Sequence, residues 1–281
     1  MATIESDDTT DIRGIFEGSQ TLIDQEYDLV GDIHGHANPL HRLLNKLGYA
    51  EIEGVFRHRE REMIFVGDFI DRGPEQREVL RIARSMCEAG SARAVLGNHE
   101  FNAIGWAAQN YDGRFLRSHS EKITSQHAKF LRQIEEDSAD HKNAVSWFRS
   151  LPIWLDLPGL RVIHACWHDP SRAALLPFLD EHGCLTEAGL LESYRHGSDA
   201  HAAVEILLNS ERMLAVMKAT AKAKGFADLI APVRPIQKHS SRIWRAASIR
   251  TADVAGYRLL ASGGAAGQTN VKPIAAAARR E

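Results

Sequence analysis

The sequence is poor in cysteine. Only Cys87, Cys166 and Cys184 occur in 281 residues. Their odd number and wide spacing suggest neither a disulfide framework nor a zinc ribbon, and a reducing cytoplasm is the expected setting. Charge of one sign is also lacking. Lys and Arg total 34 against 37 Asp and Glu, a net charge of -3. Nothing in that balance draws the chain to nucleic acid or to a membrane surface. No apolar run approaches the roughly 20 residues of a membrane span. The N-terminus is polar and acidic, unlike a signal peptide. What remains is an ordinary soluble composition, 44% hydrophobic and 25% charged, enough for one large domain or two small ones.

Three stretches share one design. Tyr27-Asp28-Leu29-Val30 runs into Gly31-Asp32-Ile33-His34-Gly35-His36. Met63-Ile64-Phe65-Val66 runs into Gly67-Asp68-Phe69-Ile70-Asp71-Arg72-Gly73. Ala92-Arg93-Ala94-Val95-Leu96 runs into Gly97-Asn98-His99-Glu100. Each short apolar run reads as a buried strand, followed by Gly and a metal-type side chain. Side chains at the C-terminal ends of such strands face the crevice where open α/β sheets bind ligands. Helices are expected between the strands. Leu40, Leu43, Leu44 and Leu47 fall at helical spacing before Gly48, and Pro74 opens a second helix through Met86. Alternating strands and helices predict a mainly parallel sheet.

Farther on, residues 118–140 are polar and helix-prone, a cap or insertion over the site. Residues 153–157 and 160–163 read as paired strands joined by Pro158-Gly159, and the second delivers His164. Two or three helices are expected over 171–208. His168, Cys166 and Trp167 read as surface or packing residues, and His36 and His41 as helix-start or surface residues. The character changes near 209. Residues 246–281 are rich in Ala, Gly and Arg and offer few large apolar side chains, so partial disorder and poor packing are expected. The division expected is an arm over 1–26, a core over 27–208 and a divergent segment over 209–281.

Asp32, His34, Asp68 and Asn98 are oxygen and imidazole ligands on three strand ends. Such a set suits Mn²⁺, Fe or Zn²⁺. A shared carboxylate can bridge two ions about 3.5–4 Å apart, the spacing of two-metal hydrolytic sites. Gly31-Asp32-x-His34-Gly35, Gly67-Asp68-x-x-Asp71-Arg72-Gly73 and Gly97-Asn98-His99-Glu100, in that order, resemble the calcineurin-like metallophosphoesterases. The chain is most similar to the branch holding the Ser/Thr protein phosphatases and the symmetrical diadenosine-tetraphosphate hydrolases. The resemblance covers residues 27–208 and is close over 27–101. It implies a four-layer α/β/β/α sandwich with two divalent ions, Mn²⁺ first. It also implies hydrolysis of phosphate monoesters or phosphoanhydrides by attack of a hydroxide on the metals. By the same resemblance Asp32 and His34 hold the first metal, Asp68 bridges, and Asn98 and His164 bind the second. His99 is the general acid, Asp71 orients it, and Arg72 clamps a phosphate oxygen. The implied substrate is a phosphorylated protein or a small phosphate ester or nucleotide, with neither nucleic acid nor membrane as partner.

The family pattern also has a late metal-binding His after a Gly. No Gly-His pair follows His164 here, and His239, preceded by Lys238, is the candidate to close the second site. Residues 213–219 with 225–235 are similar instead to the helix-then-strand of some bacterial GNAT acetyltransferases. A second functional reading therefore stands beside the enzyme: a catalytically impaired remnant that binds a phosphate or a partner.

Overall fold

The structure, a computed structural model, describes residues 25–157, 160–209, 244–250 and 258–261. Strand β1 (Glu26–Gly31) leads to helix α1 (Ala37–Lys46), which buries Leu40 and Leu44 one turn apart. The helix ends where Gly48 takes φ +88°. There the N–H groups of Gly48 and Tyr49 donate to the carbonyls of Asn45 and Leu44 at 3.1 and 3.0 Å, a Schellman cap. A hairpin follows, β2 (Ala50–Ile52) and β3 (Val55–Arg57). Its two turn residues, Glu53 and Gly54, both have positive φ, the geometry of a tight primed turn. Strand β4 (Arg61–Phe65), helix α2 (Gln76–Glu88), strand β5 (Ala92–Ala94) and helix α3 (Asn98–Ala107) come next.

The polar stretch expected over the site forms α4 (Glu121–Ile134) and the start of α5 (Ala139–Arg149). Ser138 caps α5, its Oγ accepting the N–H of His141 at 3.1 Å, which satisfies one of the orphan donors of a helix start. Strands β6 (Trp154–Leu157) and β7 (Leu160–Ile163) pair antiparallel. Helices α6 (Asp169–Leu175), α7 (Glu187–Tyr194) and α8 (Asp199–Leu208) follow. The last strands are β8 (Trp244–Arg250) and β9 (Arg258–Ala261).

One sheet has the order β5-β4-β1-β8, and another β6-β7-β9. β4 lies between β1 and β5 and pairs parallel with both, as the alternating pattern predicted. Side chains alternate across each strand, and the two faces bury different clusters. Tyr27 and Leu29, Ile64 and Val66, and Leu160 and Val162 meet between the sheets. Val30, Met63 and Phe65 face the other way, in one cluster with Leu40, Val79, Ile82 and Met86 of the first helices. Beyond β7, Ile163 shares that cluster with Leu175 and Leu207 of α6 and α8. The layers thus run helix, sheet, sheet, helix, the four-layer sandwich.

Within the segment expected over 209–281, two stretches of backbone join the sheets, β8 antiparallel to β1 and β9 parallel to β7. Residues 1–24 of the arm expected over 1–26, the acetyltransferase-like residues 213–235 and His239 lie outside the described residues.

Candidate metal and phosphoester site

The side chains of interest sit just past the C-terminal ends of four strands. Asp32 and His34 follow β1, and Asp68, Asp71 and Arg72 follow β4. Asn98 and His99 open α3 beyond β5, and His164 follows β7. The loops are bound to one another. His34 N–H donates to the Asp68 carbonyl at 2.8 Å, and Gly73 N–H to the His34 carbonyl at 2.7 Å. Asp32, His34, Asp68, Asp71 and Arg72 all take positive φ, from +48° to +69°. Non-glycine residues persist there only when their surroundings over-determine them, which is how strain gathers at functional sites. Two glycines allow the loops to approach. A Cβ on Gly67 would stand 2.5 Å from the Gly97 backbone, and one on Gly97 would stand 2.5 Å from the Asp68 nitrogen.

Asp68 is the centre. Its Oδ2 lies 3.6 Å from His34 Nε2, and its Oδ1 lies 3.6 Å from His164 Nε2. Both imidazoles are aimed by their backs. His34 Nδ1 donates to the Ile70 carbonyl at 3.0 Å and His164 Nδ1 to the Val66 carbonyl at 2.6 Å. That fixes the tautomer and turns each Nε2 lone pair inward. Asn98 Oδ1 sits 3.0 Å from His164 Nε2. Two acceptors converging so closely fit a cation between them. Asp32 completes a group with Asp68 and His164 whose ligand atoms lie within 4.8 Å of one another. His34, Asp68 and His99 form a second such group. The donor set therefore fits divalent ions.

Electrostatics sort the residues by role. Burial pushes the Asp68 carboxyl up, but His164, His99 and His34 outweigh it and hold it below the usual carboxylate range. Burial, helped by Asp68, raises the Asp32 carboxyl. Burial lowers His34 to about 4, so it is neutral at pH 7, as a ligand must be. His99 goes the other way. Burial opposes its charge, but Asp68 and the hydrogen bond to Asp71 lift it to about 9. His99 Nδ1 donates to Asp71 Oδ2 at 2.6 Å, and Arg72 Nη2 lies 3.4 Å from its Nε2. With Nδ1 engaged, Nε2 is the atom His99 offers to a substrate.

Residues 27–209 match the calcineurin-like phosphoesterase family. The chain belongs to that family. It is 36% identical over 121 residues to the asymmetrical bis(5'-nucleosyl)-tetraphosphatase PrpE of Bacillus subtilis (strain 168), covering 43% of this chain and 46% of that one. It is 38% identical over 79 residues to the symmetrical bis(5'-nucleosyl)-tetraphosphatase of Ralstonia nicotianae, covering 28% of this chain and 24% of that one. The chain thus spans about half or less of the length of these relatives. A protein serine/threonine phosphatase from Saccharomyces cerevisiae superposes with a TM-score of 0.39 at 18% identity, over 64% of this chain and 48% of that one.

The phosphoesterase loops have supports that sequence reasoning missed. Glu100, quoted within its motif without a role, is fully buried. Its carboxylate accepts the backbone N–H groups of Asp68 and Phe69 at 2.7 and 2.8 Å. Gln76 Oε1 accepts the Asp71 N–H at 2.9 Å, and its Nε2 donates to the Asp71 and Gly73 carbonyls. His127 donates from Nδ1 to Asp71 Oδ1 at 3.0 Å. The signal for His127 was its spacing. It falls on the face of α4 that buries Phe130, Leu131 and Ile134, where an apolar residue belongs. His168, read as a surface residue, caps α6 through Ser171 N–H. Trp167, read as packing, lies under the Arg172 guanidinium at 3.9 Å.

Proposed function

We propose that the chain is a metal-dependent phosphoesterase that hydrolyses phosphate monoesters or phosphoanhydrides. The observation that carries this reading is the His99–Asp71 pair, 2.6 Å apart, facing the same spot as the Asp68 ligand set. A pure binding module has no need of a general acid. Asp32, Asp68, Asn98, His34 and His164 would hold two divalent ions, with Mn²⁺ the first to try because the set is oxygen and imidazole without thiolate. When bound, such ions neutralise phosphate charge and make water nucleophilic at neutral pH.

The chain's own residues do the rest. Arg72 grips a phosphoryl oxygen with its planar fork. His99 Nε2 gives its proton to the leaving oxygen, and Asp71 stabilises the charge His99 carries beforehand. Phosphoryl transfer asks mainly for positioning and charge stabilisation. The names of the relatives support dinucleoside polyphosphates as the first natural class to assay. The free thiols of Cys87, Cys166 and Cys184 support a reducing, cytoplasmic setting. Among the described residues no helix is long and apolar enough to cross a membrane.

The test is hydrolysis of an aryl phosphate and of diadenosine tetraphosphate by chelator-stripped protein reloaded with Mn²⁺, beside Asp68→Asn. Metal-dependent turnover that the variant loses is expected. Mn²⁺ binding without turnover of either substrate would replace this reading with the binding module.

A further inference from the structure

Helix α4 reaches the loop after β4 with three side chains. His127 Nδ1 donates to Asp71 Oδ1 at 3.0 Å. Lys129 Nζ donates to the Arg72 carbonyl. Gln133 Nε2 donates to the Gly73 carbonyl at 3.2 Å, and its Oε1 accepts the Gln76 N–H at 2.9 Å. These contacts span the two residues, Asp71 and Arg72, held at φ +69° and +59°. The helix therefore helps over-determine a strained turn.

Of the three, His127 alone touches the carboxylate side chain of the acid pair. Asp71 gives Oδ2 to His99 and Oδ1 to His127. A carboxylate held at both oxygens cannot swing about its Cβ–Cγ bond without losing a donor. The plane of Asp71 is thus set by His127. That plane sets the direction of the His99 Nδ1–H bond and, through the rigid ring, the direction in which Nε2 faces.

For packing alone a histidine is a poor choice at this place. His127 is 5% exposed, and its ring lies against Trp106 and Phe130. Its Nε2 is buried with no hydrogen-bond partner among the described residues. An apolar side chain would fill that cage without stranding a polar atom. A residue that breaks the local apolar pattern and directs its side-chain hydrogen bond at the acid pair points to function.

We propose that His127 is a positioning residue of the acid pair, fixing Asp71 so that His99 Nε2 faces the leaving oxygen. The role toward the leaving oxygen rests on the phosphoesterase reading. The His127–Asp71–His99 chain of hydrogen bonds does not.

The test uses the full chain loaded with Mn²⁺ and two probes. Nitrophenyl phosphate has a leaving group that departs without a proton, and unsubstituted phenyl phosphate has one that needs it. For His127→Phe we expect kcat on nitrophenyl phosphate within about threefold of wild type and kcat on phenyl phosphate lower by about 10–100-fold, with KM unchanged. His127→Asn places an amide N–H where Nδ1–H stood and restores phenyl phosphate turnover. His127→Gln carries its amide too far out and matches His127→Phe, which covers the case in which the Phe variant does not fold. Equal loss on both esters means a merely structural role and overturns the proposal. A second readout needs no turnover. In the metal-free protein the His99 Nδ1–H proton should resonate far downfield in wild type and His127→Asn, and shift or broaden in His127→Phe and His127→Gln. An unmoved His99 resonance in those variants also overturns it. If wild type hydrolyses neither ester, the phosphoesterase reading fails alone and the resonance still decides the role of His127.

Discussion

Glu100 Oε2 accepts the backbone N–H of Asp68 at 2.7 Å, so the helix that carries Asn98 and His99 is tied to the loop that carries Asp68. Its other oxygen takes Phe69 N–H at 2.8 Å. Ligand supports of this kind are worth about 10–100-fold in metal affinity. Glu100→Gln presents an NH₂ group to a backbone N–H, two donors face to face. Mn²⁺ affinity measured by calorimetry should fall by about 10–100-fold. Unchanged affinity would show that the Asp68 loop holds its shape without Glu100.

The close approach of Gly97 to Asp68 makes a second prediction. A Cβ there meets Asp68 N at 2.5 Å and Oδ1 at 2.6 Å, and neither is the free end of a flexible chain. Gly97→Ala should cost about 1–3 kcal/mol of stability in urea titration, as overpacked sites do. It should also weaken metal binding, because the atom that must move belongs to a ligand. Gly113 is the control. It has φ +74° but open space around it, so Gly113→Ala should cost about 1 kcal/mol and leave the metal alone. Equal effects at the two positions would contradict the steric account.

A third prediction concerns a charge pair remote from chemistry. Asp28 is fully buried in β1, and Arg61 Nε lies 3.3 Å from its Oδ2. Breaking a buried ion pair by removing one partner is strongly destabilising, and Arg61→Met should cost about 3–5 kcal/mol. Adding Asp28→Asn should recover part of that loss. A double mutant no more stable than Arg61→Met alone would mean that Arg61 works through packing and not through charge.

How much of this was legible beforehand follows from the range of the signals. The three parallel strands, α1 and α2 are local patterns of three to thirteen residues, and Leu40, Leu44, Ile64 and Met86 are buried where periodicity put them. Asp32, His34, Asp68, Asn98, His99 and His164 converge because motif and strand end coincide. The hairpin β2–β3 escaped because three residues per strand are too few to show alternation. Helix α3 gave no local signal because its first residues, Asn98 and His99, carry a motif and no apolar stripe. His127 is 56 residues from Asp71, and only the fold brings them together. The pairing of β8 with β1 is equally non-local, and its sequence has no alternation that singles out an edge strand.

His34 and His99 pack edge to face, ring centroids 4.7 Å apart, yet they should titrate far from each other. Burial takes His34 down to about 4. For His99 burial works against the charge, but Asp68 and Asp71 prevail and raise it to about 9. In chelator-treated protein, ring carbon shifts followed by NMR should show His34 neutral and His99 charged across the neutral range. The two also act oppositely on stability, relative to an unfolded value of about 6.5. The His99 contribution is full below that value and is lost as pH rises through about 9. The His34 contribution is full above it and is lost as pH falls through about 4. Asp71→Asn should bring the His99 midpoint down and move the alkaline limb of the stability profile with it. If both rings titrated near 6.5, the separation of ligand from acid would have no electrostatic basis, and the assignment of the proton to His99 would fall with it.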